Sequence, residues 1–148
     1  MVWGGIYGNQ KTDLIQLYGN LDAQGYINNV INPAIVPLFA ANPHLTLVHD
    51  GATPHTARVT NQHLANLGVP VLPWPSKSPD LNPIEHLWDQ LERRIRARQH
   101  PPATLGELRN ALEEEWNNIP ADRVRRLTGS MRRRCLATMA AFGGHTRY

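Results

Sequence analysis

Apolar positions along the 148 residues switch between two periods, and the switches outline an α/β chain. Met1-Val2-Trp3-Gly4-Gly5-Ile6-Tyr7 and Leu14-Ile15-Gln16-Leu17-Tyr18 read as two antiparallel strands joined through a Gly8-Asn9-Gln10-Lys11 turn. From Ala23 to Phe39, Tyr26, Ile27, Val30 and Ile31 recur at helical spacing, and Pro33 and Pro37 are expected to kink or split that helix. Leu45 to Asp50 reads as a short buried strand whose alternation puts Thr46, Val48 and Asp50 on one face. A Gly-Ala-Thr-Pro turn leads to a helix over roughly Thr56 to Leu67, then to Val69-Pro70-Val71-Leu72, an edge strand by virtue of its proline. After a loop rich in serine and proline, Ile84, Leu87, Trp88, Leu91 and Ile95 mark one face of a long helix that Pro101-Pro102 ends. Two further helices are expected near Thr104–Asn117 and Ala121–Ala141.

Length and composition fit a single domain over residues 1–148, with 41% hydrophobic residues to fill a core. No apolar run approaches a membrane span. Cys135 is the only cysteine, which excludes an intrachain disulfide or a cysteine-rich zinc site and suits an intracellular setting. The formal charge is only +3, but arginine is concentrated in the second half of the chain. That asymmetry favours a polyanionic partner, although solvated helices often carry such charge.

Two carboxylates stand out. Asp50 closes the apolar run at 45–50, at the carboxyl end of a strand, where ligands bind in open α/β sheets. Glu85 opens the long helix behind a proline-stiffened loop, and thirty-four residues lie between the two acids. A strand-end aspartate and a helix-start glutamate can share a divalent metal of the kind that serves phosphodiester chemistry. Each also has an ordinary structural reading. Asp before Gly is a common turn former. With Asn82 as the helix cap and Pro83 at the first position, Glu85 can reach back to the cap amide. His55 can contact a phosphate or orient the Asp50 loop, or simply lie at the surface. None of the histidines pairs at ligand spacing, and the lysine and hydroxyl residue of a phosphate-binding glycine loop are absent from both Gly-Gly pairs. Arg93, Arg94, Arg96 and Arg98 lie on the polar faces of the Glu85 helix, where a DNA backbone would meet them. An ordinary solvated face, partly paired with Glu92, explains them too. Arg132-Arg133-Arg134 reads as a phosphate-binding tract or a weak nuclear-import signal.

His49-Asp50-Gly51-Ala52-Thr53-Pro54-His55-Thr56, followed by Leu72-Pro73-Trp74-Pro75-Ser76-Lys77-Ser78-Pro79-Asp80-Leu81-Asn82-Pro83-Ile84-Glu85-His86-Leu87-Trp88, resembles the catalytic domain of Tc-type transposases in the Tc/mariner superfamily. The resemblance continues through Glu114-Glu115-Trp116, Ile119-Pro120 and Gly143-Gly144-His145-Thr146-Arg147-Tyr148. It implies a ribonuclease H-like mixed sheet flanked by helices, with a helical C-terminal part. It also implies a triad of two aspartates and a glutamate holding two Mg2+ or Mn2+ ions, in which Asp50 matches the second acid and Glu85 the third. The family's first catalytic aspartate lies on a strand preceding Met1–Tyr7, and its N-terminal DNA-binding region precedes that. Asp13 and Asp22 are poor substitutes for the missing acid. The expectation is therefore a partial, catalytically impaired catalytic domain of a cut-and-paste transposase. Its partners would be transposon-end and target DNA in a homodimeric or synaptic complex, in the nucleus of a eukaryotic host. A non-catalytic DNA-binding remnant and a metal-dependent nuclease of the same fold are the alternatives.

Overall fold

The structure is a computed structural model that describes residues 1–75, 78–144 and 146. The chain divides into two compact units, Met1–Trp3 with Ile15–Ser78, and Gly4–Leu14 with Pro79–Tyr148.

In the first unit, strand β1 (Val2–Trp3) pairs antiparallel with a later strand, Ile15–Gln16, in the register Val2↔Gln16 and Trp3↔Ile15. In the second, β2 (Ile6–Tyr7) pairs antiparallel with β3 (Gln10–Lys11); the Ile15–Gln16 strand of the first unit is β4. The expected hairpin is thus present as two short ladders. Its turn is tighter than the sequence suggested, because Gly8 adopts φ +53 and lets Gln10-Lys11 join the ladder.

The helical pattern after Ala23 does not split at its prolines. Helix α1 (Ala23–Tyr26) is capped by Asp22, whose carboxylate accepts from the Gly25 amide at 2.7 Å. It continues as a π-helical stretch, Ile27–Ile35, and then as α2 (Val36–Ala41). A wide turn changes which carbonyl each amide meets, and so absorbs the missing donor of Pro33. The inner face, Tyr26, Ile27, Val30, Ile31 and Ile35, forms a core with Leu17, Leu64 and Val69. Leu64 is supplied by α4 (Arg58–Asn66), which follows the single turn α3 (Thr53–Thr56).

The run at 45–50 alternates as expected, with Leu47 half-buried against the core and Thr46, Val48 and Asp50 exposed. Among the described residues it forms no full ladder, however. Its pairing is one parallel bridge, Leu47↔Val71, made by Leu47 N–H to Pro70 O (2.8 Å) and Leu72 N–H to Leu47 O (2.9 Å). Pro70 contributes a carbonyl but has no amide to extend it.

The second unit is mainly helical. Helix α5 (Glu85–Arg96) buries Leu87, Leu91 and Ile95, and α6 (Leu105–Asn117) starts in a Thr104/Glu107 capping box. Trp116 is fully buried, stacks on Trp88 with ring centroids 5.1 Å apart, and donates its indole N–H to the Thr12 carbonyl at 2.8 Å. The expected helix at 121–141 is two, α7 (Ala121–Thr128) and α8 (Met131–Ala140), separated at Gly129-Ser130. Val124 and Leu127 complete this unit's core with Leu87, Leu91, Trp116 and Ile119. Among the described residues, no helix is long and apolar enough to cross a membrane.

Candidate functional site

Asp50 and Glu85 belong to different units, and each is fixed by its own neighbours. Asp50 follows the Leu47 bridge in the loop that leads to α3. Its Oδ1 accepts from the Ala52 amide at 3.1 Å, which is the local turn the Asp-Gly pair suggests. The same oxygen accepts from His55 Nδ1 at 2.6 Å, so the imidazole proton lies on that nitrogen. The other oxygen, Oδ2, has no hydrogen-bond partner among the described residues, and the side chain is 55% exposed. Turn formation therefore occupies one oxygen and leaves the second facing out.

His55 is held by rings. It stacks on His49 with centroids 5.1 Å apart and planes 3° from parallel, and it tilts against fully buried Tyr26 at 4.4 Å. Thr60, also fully buried, donates to the Pro54 carbonyl at 2.7 Å and ties α3 to α4. Burial pushes the His49 imidazole down to about 4, with the neighbouring His55 adding to the effect and Asp50 opposing it. His49 is thus a neutral packing ring, and its Nδ1 is buried without a hydrogen-bond partner among the described residues. Burial raises the Tyr26 phenol far above its usual range, and Asp50 adds to that. The Trp3 indole opposes this by more than Asp50 adds, although it makes no hydrogen bond of normal geometry to the phenol. The sequence marked His55 but not the ring cluster behind it. Only the aromatic and imidazole types at 26, 49 and 55 hinted at one.

Glu85 sits at the first residue of α5 rather than two residues further in, because 79–85 forms successive turns: Asn82 N–H to Pro79 O (3.0 Å) and Glu85 N–H to Asn82 O (3.2 Å). The Asn82 side-chain amide donates to Glu85 Oε1 at 3.3 Å. Beneath this loop lies a residue that charge alone misplaces. Arg134, read as part of an exposed cationic tract, is only 1% exposed. Its Nη1 donates to the Asp80 carbonyl at 2.5 Å, its Nε to Ser130 Oγ at 2.8 Å, and its Nη2 lies 3.2 Å from His86 Nδ1. Burial, then Arg134 and Arg123, hold the His86 imidazole below its ordinary range.

The other predicted contacts sort by their partners. Arg96 pairs with Glu92 at 2.6 Å and Arg93 with Asp89. Arg98 bridges to α6 through Glu114 (2.7 Å) and Glu115 (3.0 Å), and Arg94 lies 3.7 Å from Glu115. Ser76 and Lys77 of the proline-rich loop, and His145, Arg147 and Tyr148, lie outside the described residues. Among the described residues, no cluster of three or more His, Cys, Asp or Glu side chains could hold a metal ion.

Residues 8–109 match the family described as DDE superfamily endonuclease. The transposable element Tcb1 transposase of Caenorhabditis briggsae is 35% identical over 150 residues, covering 100% of this chain and 54% of that protein. The chain thus spans about half the length of that curated relative. The Mos1 transposase catalytic domain solved with raltegravir and Mg matches at TM-score 0.78 and 24% identity, over 99% of this chain and 75% of that one. The Mos1 mariner paired end complex with Mn matches at TM-score 0.76 and 22% identity, over 93% of this chain and 41% of that one. These likenesses define the class: a mixed α/β fold of the ribonuclease H-like kind. The chain belongs to the DDE superfamily endonucleases, in their Tc/mariner transposase group.

Proposed function

We propose that the chain is part of the catalytic domain of a cut-and-paste transposase. It would act on transposon-end and target DNA in a nucleus, with Asp50 and Glu85 as ligands of Mg2+ or Mn2+ and a homodimeric or synaptic assembly as the working form. The observation that carries this reading is the Asp50 carboxylate, with Oδ1 fixed by Ala52 and His55 and Oδ2 outward, inside a segment matched to DDE endonucleases. The donor chemistry fits: carboxylate oxygens are the hard ligands such ions take, and water and phosphate oxygens complete the shell. When bound, divalent ions activate a water or a DNA 3′-hydroxyl and stabilise the leaving oxygen of an in-line displacement. The chain's own share is orientation. His55 prevents Asp50 from swinging away, and Asn82 with the start of α5 steadies Glu85. The ring stack behind His55 keeps it from rotating out of register.

The test is Mn2+ binding by the full chain, followed by calorimetry, with Mg2+-dependent nicking of supercoiled DNA carrying transposon ends measured beside it. Asp50→Asn and Glu85→Gln are each expected to weaken Mn2+ binding at least tenfold and to abolish any nicking. Unchanged Mn2+ affinity in both variants would exclude this pair as ligands.

A further inference from the structure

Along α5 and α7 lies a cavity of about 350 Å³ lined by His86, Asp89, Gln90, Arg93, Arg94 and Arg123. We propose that this pocket seats the phosphodiester backbone of one DNA strand, with Arg123 as its principal anion-binding group. The inference rests on the DNA-processing reading above.

The charges around the pocket do not cancel. Arg93 is matched by Asp89. Arg94 lies 3.7 Å from Glu115, but Glu115 is already engaged at 3.0 Å by Arg98. Arg123 has no acidic partner among the described residues. Its Nε donates to Gln90 Oε1 at 3.1 Å, and its two terminal nitrogens have no hydrogen-bond partner among the described residues. A guanidinium held at Nε and unpaired at its fork is pre-set for bidentate contact with a phosphate. The pocket is half-sheltered rather than flat, because Arg94, Arg123, His86 and Gln90 are all partly buried, and such settings strengthen charge contacts. It also has length. His86 and Ala97 both line it, and eleven helical steps between them span roughly 16 Å, enough for several consecutive phosphates of a strand.

This changes which arginines matter. Arg96 and Arg98 look equivalent to Arg94 in the sequence, yet Arg96 is tied to Glu92 and Arg98 to two glutamates of α6. Arg123, on a later helix, takes their place because α7 brings it to Gln90.

The experiment is fluorescence anisotropy of a labelled 20-base-pair duplex with the full chain, in EDTA, from 50 to 200 mM salt. EDTA removes metal chemistry, so a failure of the proposed catalysis and a failure of this pocket give separate results. Arg123→Gln and Arg94→Gln are each expected to weaken DNA binding roughly three- to tenfold at 100 mM salt and to lower the salt slope by about one. Arg96→Gln, the same loss of charge on the helix that carries Arg94, is expected to change affinity less than about twofold. Circular dichroism melts confirm that the variants fold, and Arg94→Gln stands as the second probe if Arg123→Gln does not. Equal losses for Arg96→Gln and Arg123→Gln would reduce the pocket to diffuse electrostatics and overturn the proposal. Unaltered binding in both pocket variants, or displacement of the duplex by equimolar polyglutamate, would overturn it as well.

Discussion

Replacing Arg134 tests whether the loop that delivers Glu85 is held from below. The guanidinium is 1% exposed and donates to the Asp80 carbonyl and to Ser130 Oγ, with His86 Nδ1 at 3.2 Å. Two effects compete on removal. A buried charge is costly, and a methionine of similar length recovers that cost. Against it, each acceptor left buried without a donor loses about 1–3 kcal/mol. The Asp80 carbonyl and His86 Nδ1 are partly rather than wholly buried, which places each near the low end. Ser130 can still donate to the Leu127 carbonyl at 2.6 Å, so it loses little. The unsatisfied acceptors win, and Arg134→Met is expected to cost about 2 kcal/mol. Arg134→Ala adds a cavity and should cost about 4 kcal/mol. Urea unfolding followed by circular dichroism reads both. With a slope of about 2 kcal/mol per molar, the midpoint falls by roughly 1 M for methionine and 2 M for alanine. Hydrogen exchange at the amides of Glu85 and His86 should accelerate in both variants. A methionine variant as stable as the parent, with unchanged exchange there, would refute the view that Arg134 secures this loop.

Gly4→Ala would set a methyl 2.9 Å from Trp116 Cζ2 and 3.2 Å from Trp88 Cη2, so about 1–3 kcal/mol of overpacking is expected as a lowered melting temperature. A gain in stability would show that the stacked indoles are not close-packed against that backbone. Tyr26→Phe removes a fully buried hydroxyl with no hydrogen-bond partner among the described residues, and should be neutral or stabilise by up to about 1 kcal/mol in denaturant unfolding. A clear loss would identify the Trp3 indole as a true partner.

What could be read from the sequence follows from range. The stripe Leu87, Leu91, Ile95 is a local period, and all three are buried as expected. The capping box at Thr104 likewise involves residues three apart. The period-2 reading of 45–50 also gave the right faces, since alternation is a property of extended backbone. The extent of the ladder was not legible, because it depends on Pro70 in a partner segment. The start of α5 moved to Glu85 because consecutive turns compete with helix from Pro79 onward. The division of the last helical pattern depends on Ser130, 4% exposed, whose hydroxyl bonds backward to Leu127. Charge proved least legible. Arg132, Arg133 and Arg134 look alike in the sequence, but successive residues on a helix point in different directions, and the third turns into the core. The Ala52 amide on Asp50 is the turn that Asp-Gly suggests, but the acceptor for Arg123 is a side chain on another helix, and no spacing rule connects the two.

The π-helical stretch after Tyr26 has a consequence beyond accommodating Pro33. A coil wound with more residues per turn is shorter and differently phased than an ordinary helix of the same length, so tightening it would lengthen the rod and rotate whatever precedes it. Tyr26 is the residue immediately before, and its ring is one wall of the slot that grips His55. The winding of one helix therefore bears on where a phenol lies against the imidazole that holds the Asp50 carboxylate.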